Sequence, residues 1–236
     1  MFVSAIKAVS GAMFPIFRLE KTSSTQTNVG VVGTGFFISS NGTFVTVAHV
    51  FDNANAQTKY MYFGLLPDNL ENPQLEISEL ARDDTNDIYI GQIKKETPTF
   101  LPLDAKLVEI GRTVCIGDYP LATIVANSQG GIDVTGVRRY YQPSFVLDYA
   151  KMTAKNPTGT ALTHDGFLVR DFGLFGMSGG PVFDTSGTVL GVQGSVTEPR
   201  QSTSGDGKRT IAVENAMVIR SNLILDFIKD REIRFN

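Results

Sequence analysis

The chain has 236 residues, of which 42% are hydrophobic and 19% charged, a balance typical of a folded domain. Its net charge of −3, without a dense lysine or arginine run, argues against a nucleic-acid partner. No stretch is as long as a membrane span, and a single cysteine excludes an internal disulfide. Lys7 interrupts the region where a secretory signal would be apolar, so we favour a cytoplasmic location over a mature secreted form.

Short strands dominate the predicted first half of the chain. Ser4–Ala12 predicts a short helix. Alternating or apolar runs predict strands over residues 14–20, 29–39, 44–47, 60–66 and 88–93. Asn41-Gly42 predicts a two-residue type I′ hairpin turn, because both central positions of that turn need a positive φ.

The second half continues in the same style. Strands are predicted over residues 113–117, 132–141, 145–147, 166–170, 181–183, 189–193 and 211–219. Ser221–Arg231 predicts an amphipathic helix with Ser221 as its N-cap. Many short strands with glycine-rich turns favour a β-sandwich or a barrel, and residues 102–111 mark a seam between two halves of similar length.

The segment Gly176-Met177-Ser178-Gly179-Gly180-Pro181-Val182 is the one most suggestive of chemistry. Glycines on both sides of Ser178 permit a tight turn that exposes the hydroxyl and lets a substrate carbonyl approach. The N–H groups of Gly176 and Ser178 are the natural pair for an oxyanion hole. The alternative is a glycine-rich turn between strands that happens to contain a serine.

A serine nucleophile needs a general base, and the chain has two histidines. His49 follows the apolar strand Phe44–Val47, a rigid element that would present an imidazole to a cleft. His164 lies in a polar, turn-like stretch and is expected to be a solvated loop residue. We therefore assign the base to His49, although a histidine in that position alone is equally consistent with a core residue.

The base in turn needs a carboxylate that fixes its tautomer. Asp87 enters the apolar strand Ile88–Ile93, where a carboxylate can be partly buried and still reach a neighbour. Asp83 and Asp84 are the rivals, in a more polar run, and an aspartate at the end of a loop is in itself common.

Together these residues resemble the trypsin-like serine peptidases, in particular the Deg/HtrA-type and glutamyl-endopeptidase-like bacterial branch. The order His49, Asp87, Ser178 is similar to that of the family, as are residues 33–38, 45–49, 87–90, 111–121, 176–182 and 187–192. The resemblance spans roughly residues 3–228. Met177 stands where the family often has aspartate or asparagine.

The resemblance implies an all-β chymotrypsin-like fold of two packed antiparallel β-barrels with a C-terminal helix. Residues 1–104 would form the barrel that carries His49 and Asp87, and residues 105–236 the barrel that carries Ser178. The implied activity is endopeptidase hydrolysis of a peptide or protein through an acyl-enzyme. No cluster of metal ligands is visible, and no metal or organic cofactor is expected.

The resemblance also places the substrate pocket near Phe172, Val192, Gln193 and Gly194, which favours an apolar pocket. Asp171 would instead select a basic side chain if it pointed inward. Two other functions stay open: an inactive relative that binds peptides or serves as a structural protein, and an unrelated all-β binding module. An esterase is disfavoured because the glycine-flanked serine does not stand between a strand and a helix.

Overall fold

The computed structural model describes the chain except residues 22–26, 52–59, 67–73, 95, 97–98, 121–122, 127–131, 156–160, 172–173, 175, 198–201, 204–209, 212–214 and 235–236. Strands dominate the described part, and each half of the chain builds one large sheet. Helix α1 (Val3–Ser10) begins the fold and helix α2 (Ser221–Asp230) ends it. The expected all-β fold with two barrel-like sheets and a C-terminal helix is confirmed.

The N-terminal half forms an antiparallel sheet of seven strands in the order β5-β4-β1-β2-β3-β7-β6. The strands are β1 (Met13–Lys21), β2 (Thr27–Phe37), β3 (Thr43–Thr46), β4 (Tyr60–Leu65), β5 (Gln74–Glu76), β6 (Ser78–Asp83) and β7 (Ile88–Gln92). Its core is aromatic: the ring of Phe14 lies 4.8 Å from that of Phe37 and 5.2 Å from that of Phe44. The polar strands β5 and β6 were not predicted, because neither has an apolar run.

The C-terminal half closes into a barrel in the order β11-β12-β17-β14-β13-β8. Along the chain its strands and the two small ribbons beside it are β8 (Thr113–Asp118), β9 (Thr123–Ala126), β10 (Ile132–Thr135), β11 (Tyr140–Lys155), β12 (Ala161–Arg170), β13 (Pro181–Phe183), β14 (Val189–Thr197), β15 (Ser202–Thr203), β16 (Thr210–Ile211) and β17 (Asn215–Arg220). Val114, Ile116, Phe167 and Leu190 are among the side chains that fill it.

The two halves share a buried core. Phe2 packs edge-on against Phe183 with ring centroids 6.2 Å apart, and the Tyr119 hydroxyl donates to the Met13 carbonyl at 3.1 Å. The connecting segment lies against the barrel, where Leu103 forms a β-bridge with Val189. The site described below lies where the halves meet, and the domain boundary between residues 104 and 105 stays a prediction.

The turn after β2 differs from the type I′ turn expected for Asn41-Gly42. Gly42 has a φ of 85°, but Asn41 does not adopt a positive φ. The Asn41 side chain instead accepts the backbone N–H of Thr43 at 3.0 Å. The loop between the end of β2 at Phe37 and the start of β3 at Thr43 is longer than two residues. The side-chain hydrogen bond of Asn41 stabilises this alternative turn.

Two further expectations were wrong. Ser221 does not cap helix α2; it is the first helical residue, and its hydroxyl donates to the carbonyls of Asp104 and Leu190. It thus ties the helix to the connecting segment. His164 does not lie in a loop, since its backbone belongs to β12 and pairs with Met152 of β11. A polar sequence can form a strand when a neighbouring strand pairs with it, as β11 does here.

Candidate active site

His49 and Asp87 are joined by two hydrogen bonds. Oδ1 of Asp87 accepts the backbone N–H of His49 at 2.8 Å, and Oδ2 lies 2.7 Å from Nδ1 of the ring. The Asp87 side chain is fully buried, whereas that of His49 is 26% exposed. A carboxylate in this position favours the tautomer with its proton on Nδ1, which makes Nε2 the nitrogen that can accept a proton.

Asp87 is itself held by the backbone around it. Its φ of 58° lies in the left-handed region, which aspartate tolerates better than most residues. Oδ1 of Asp83 accepts the N–H groups of Thr85 at 2.9 Å and of Asn86 at 3.0 Å, which builds the turn before it. The Asp87 carbonyl accepts the N–H of Ala48 at 3.2 Å. Such an over-determined, unfavourable conformation is typical of functional sites.

The rival carboxylates lie elsewhere. Asp83 serves the turn just described, and Asp84 is exposed and pairs with Arg82 at the surface. Of these three aspartates, Asp87 is thus the one the structure brings to His49. The side chain of His164 lies outside the described residues, and only its strand backbone is placed.

The turn that carries Ser178 packs directly against the strands that lead to His49. The Ser178 carbonyl accepts the N–H of Thr34 in β2 at 2.8 Å. A Cβ on Gly179 would lie 2.0 Å from Oγ1 of Thr46, the last residue of β3. Since Gly179 also has a φ of 88°, glycine is required there on two counts. The fold therefore places Ser178 beside the end of the strand that presents the imidazole.

The peptide groups of this turn have defined directions. The Met177 carbonyl accepts the N–H of Gly180 at 3.0 Å. Because the described chain has no cis peptide bond, the N–H of Ser178 in that same peptide points the opposite way. Gly176, with a φ of 93°, directs its carbonyl to the hydroxyl of Thr34 at 2.8 Å. The turn is thus ordered on both sides of Met177.

Gln193 lies on the barrel side of the turn of residues 176–180, which is called the nucleophile turn below because it carries the predicted nucleophile Ser178. The backbone of Gln193 pairs with Gly179 at 2.8 Å and with Gly180 at 2.9 Å. Its buried side chain donates through Nε2 to Oδ2 of Asp171 at 2.6 Å. Val192 belongs to the buried core shared by the two halves, whereas Gly194 follows Gln193 in β14 and is buried. The predicted pocket residue Phe172 lies outside the described residues.

Asp118 was missed by the sequence reasoning. It ends β8, is 1% exposed, and neither of its carboxylate oxygens has a hydrogen-bond partner within the described part of the chain. A Cβ on Gly180 would lie 3.2 Å from its Cβ. Burial, and then the nearby charge of Asp171, raise the pKa of Asp118 to about 8. The sequence signal that could have identified Asp118 is its position as a charged residue directly after the apolar run of residues 113–117.

The raised pKa of Asp118 predicts a pH-dependent stability. The folded state keeps this carboxyl protonated up to about pH 8, whereas the unfolded chain releases the proton near pH 3.8. The contribution to folding stability is therefore complete below pH 3.8 and is lost as the pH rises towards 8. One proton corresponds to a slope of about 1.4 kcal/mol per pH unit. Urea unfolding from pH 5 to pH 9 should show this loss reduced in Asp118→Asn and retained in Asp148→Asn, an exposed control; equal slopes would contradict it.

Other reactive groups offer no competing chemistry in the described ranges. Burial, followed by the charge of Asp118, raises the pKa of the Cys115 thiol to about 12, so this cysteine is not a thiolate at neutral pH. No group of three or more His, Cys, Asp or Glu side chains there could hold a metal ion. Among the described helices, neither is long and apolar enough to cross a membrane.

Comparison with known proteins identifies the family. Residues 33–192 match the family model described as a trypsin-like peptidase domain, which spans most of the chain and contains all three residues of the site. The chain belongs to the trypsin-like peptidase family.

Individual relatives are distant. The magnetosome formation protease MamE of Paramagnetospirillum magneticum is 24% identical over 197 residues, which cover 82% of this chain and 23% of MamE. The chain thus spans about a fifth of the length of the curated relatives it matches. The active form of the Rv3671c protease of M. tuberculosis has the same fold, with a TM-score of 0.66, 20% identity, and coverage of 95% of this chain and 82% of that one.

The HtrA-type protease AlgW, solved with a decapeptide, has a TM-score of 0.65 at 13% identity, and the match covers 98% of this chain and 67% of the AlgW chain. At these identities the two solved structures establish the fold. They agree with the chymotrypsin-like arrangement of the two sheets described above.

Proposed function

We propose that this member of the trypsin-like peptidase family is a serine endopeptidase with Ser178 as nucleophile, His49 as general base and Asp87 as the carboxylate that orients the base. The observation that carries the proposal is the pair of hydrogen bonds from one buried carboxylate to the ring and the backbone of His49. A solvated loop aspartate would not accept hydrogen bonds from both the ring and the backbone of a histidine, whereas a carboxylate that orients the general base must bond its ring.

The proposed reaction is hydrolysis in two steps. Ser178 Oγ attacks the scissile carbonyl while Nε2 of His49 takes the hydroxyl proton. His49 then donates that proton to the leaving amine, and an acyl-enzyme remains. Water, deprotonated by His49, then attacks the acyl carbonyl. The bond between the acyl carbon and Ser178 Oγ breaks, His49 returns the proton to Oγ, and the acid product leaves. The charge of the imidazolium formed in each step is stabilised by Asp87, and the reaction needs no metal or organic cofactor.

The negative charge of the tetrahedral intermediate would be stabilised by the N–H groups of Gly176 and Ser178. The geometry of the turn supports this role for Ser178. The Met177 carbonyl accepts the N–H of Gly180, and the Ser178 N–H, which belongs to the same peptide group, points in the opposite direction. The positive φ of Gly176 supports it for the other donor, since such a backbone lets two N–H groups converge.

The substrate would be a peptide or protein segment that enters along β14. The backbone of Gln193 pairs with Gly179 and Gly180, so β14 passes beside the nucleophile turn, and the HtrA-type protease AlgW was solved with a decapeptide. The structure describes a polar side chain at Gln193, hydrogen-bonded to Asp171, which supports a partly polar pocket rather than the apolar one favoured by the sequence. Val192 and Phe172 remain predictions for this pocket.

An active-site-directed fluorophosphonate tests the proposal. The wild-type protein should be labelled once per chain, and Ser178→Ala should not be labelled at all, because the probe phosphonylates an activated serine. Ser186→Ala, which removes an exposed serine in the turn between β13 and β14, should be labelled like the wild type. Absence of labelling in the folded wild type would instead support an inactive relative, and labelling of Ser178→Ala would exclude this serine as the nucleophile.

A further inference from the structure

Thr34 makes two hydrogen bonds to the nucleophile turn, although no sequence motif singled this residue out. It is fully buried in β2 between Gly33 and Gly35. Its N–H donates to the Ser178 carbonyl at 2.8 Å, and its hydroxyl donates to the Gly176 carbonyl at 2.8 Å. A single residue of the N-terminal sheet therefore holds the turn of the C-terminal barrel at two carbonyls, one on either side of Met177.

The hydroxyl of Thr34 has a fixed direction. Its Oγ1 accepts the backbone N–H of Tyr119 at 3.1 Å, so its one proton is directed to the carbonyl of Gly176. The Tyr119 backbone in turn packs on Gly176, where an added Cβ would lie 2.5 Å from the Tyr119 carbonyl oxygen. The hydroxyl thus joins two backbone segments of the barrel that approach each other closely at Gly176.

The carbonyl of Thr34 extends the network to the other side of the site. It accepts the hydroxyl of Thr46 at 2.8 Å, and Thr46 is the last residue of the strand that leads to His49. Backbone and side chain of Thr34 therefore make four buried hydrogen bonds, two to the turn that carries Ser178 and one each to Tyr119 and Thr46. Buried networks in which every partner is satisfied are rigid and hold one geometry.

The turn itself holds Met177 by weaker contacts. The N–H of Leu174 donates to the Met177 thioether at 2.9 Å, and the N–H of Met177 donates to the Leu174 carbonyl at 3.2 Å. A thioether is a weak hydrogen-bond acceptor, and methionine has no charged group that could anchor the turn. Thr34 therefore anchors the turn from the N-terminal sheet, at the carbonyls of Gly176 and Ser178, whereas Gln193 anchors it from the barrel side.

We propose that Thr34 is a positioning residue of the peptidase: its hydroxyl holds the Gly176–Met177 peptide, which lies between the two oxyanion donors, so that these donors face the substrate, and its backbone keeps Ser178 in register with the strand that leads to the base. This inference rests on the proposed function. Thr34 touches neither the substrate nor the reacting atoms, and it acts through Gly176, Ser178 and Thr46.

Thr34→Val tests the hydroxyl while keeping the shape and the backbone N–H. We expect kcat on fluorescein-labelled casein to fall by about 10- to 100-fold with KM within about twofold, because a displaced oxyanion donor weakens transition-state binding and spares substrate binding. The fluorophosphonate labelling rate should fall in parallel. Thr34→Ser, which retains the hydroxyl, should restore both rates to within about threefold of the wild type.

Thr43→Val is the matched control, since Thr43 is an equally buried threonine in β3 whose hydroxyl bonds Asn41 away from the site. It should lose stability and keep wild-type kcat. Thr34→Ala provides a second hydroxyl-free variant that cannot clash. Wild-type kcat and labelling in folded Val and Ala variants, or a Ser variant as slow as Val, would overturn the inference. A wild type without labelling would instead overturn the proposed function, which keeps the two failures distinct.

Discussion

Asp87→Asn should lower the kcat of peptide hydrolysis by about 10⁴-fold while the protein remains folded. The carboxylate accepts from both the ring Nδ1 and the backbone N–H of His49. An asparagine can accept only one of these bonds through its oxygen, and its amide group would then donate towards Nδ1. That arrangement selects the opposite tautomer, with the proton on Nε2, which cannot take the proton of Ser178.

The measurement is steady-state hydrolysis of labelled casein at pH 8, with thermal unfolding to verify the fold. Asp84→Asn is the control, because Asp84 is a neighbouring surface aspartate that pairs with Arg82. It should retain wild-type kcat. A similar loss in Asp84→Asn, or none in Asp87→Asn, would transfer the orienting role away from Asp87 and contradict the proposed triad.

His49→Ala should reduce kcat by about 10⁶-fold, since the serine then has no base to accept its proton. His164→Ala should retain most of the activity, because His164 lies in β12 of the barrel, where its backbone pairs with Met152. Casein cleavage by both variants, with titration of active sites by the fluorophosphonate, compares the only two histidines of the chain directly.

The opposite result, in which His164→Ala is inactive and His49→Ala is active, would place the base in the C-terminal half and end the present assignment. A partial loss in both variants would also contradict it, since the proposed mechanism passes every proton through one imidazole. Near-normal fluorophosphonate labelling of His49→Ala would show that Ser178 is activated by another group.

Local patterns predicted much of the fold. Strands β1, β3, β7 and β13 lie within one or two residues of their predicted ranges, because alternation and apolar runs report which residues face a core. The same reasoning failed for β6 and for the first half of β12, whose polar residues are in strands because neighbouring strands pair with them. Ser221 failed as a cap for a related reason, since distant carbonyls supply its partners.

For the candidate site, too, local sequence predicted some features, and others required the tertiary structure. Local sequence was enough to single out Ser178 between glycines and to propose His49 and Asp87, because backbone freedom and the end of an apolar strand are properties of neighbouring residues. It could not choose between Asp87, Asp83 and Asp84 by contact. That choice required the 2.7 Å and 2.8 Å bonds to His49, which join residues 38 positions apart.

The sequence by itself predicted the candidate serine, histidine and aspartate, their order along the chain and the mostly β character of the fold, since residue type and short-range periodicity suffice for these. Tertiary structure decided which groups meet. Thr34 binds Gly176 across 142 positions, and Asp118 is placed inside the C-terminal barrel beside the nucleophile turn. Hydrogen bonds and desolvation depend on neighbours in space, and folding rather than chain order brings those neighbours together.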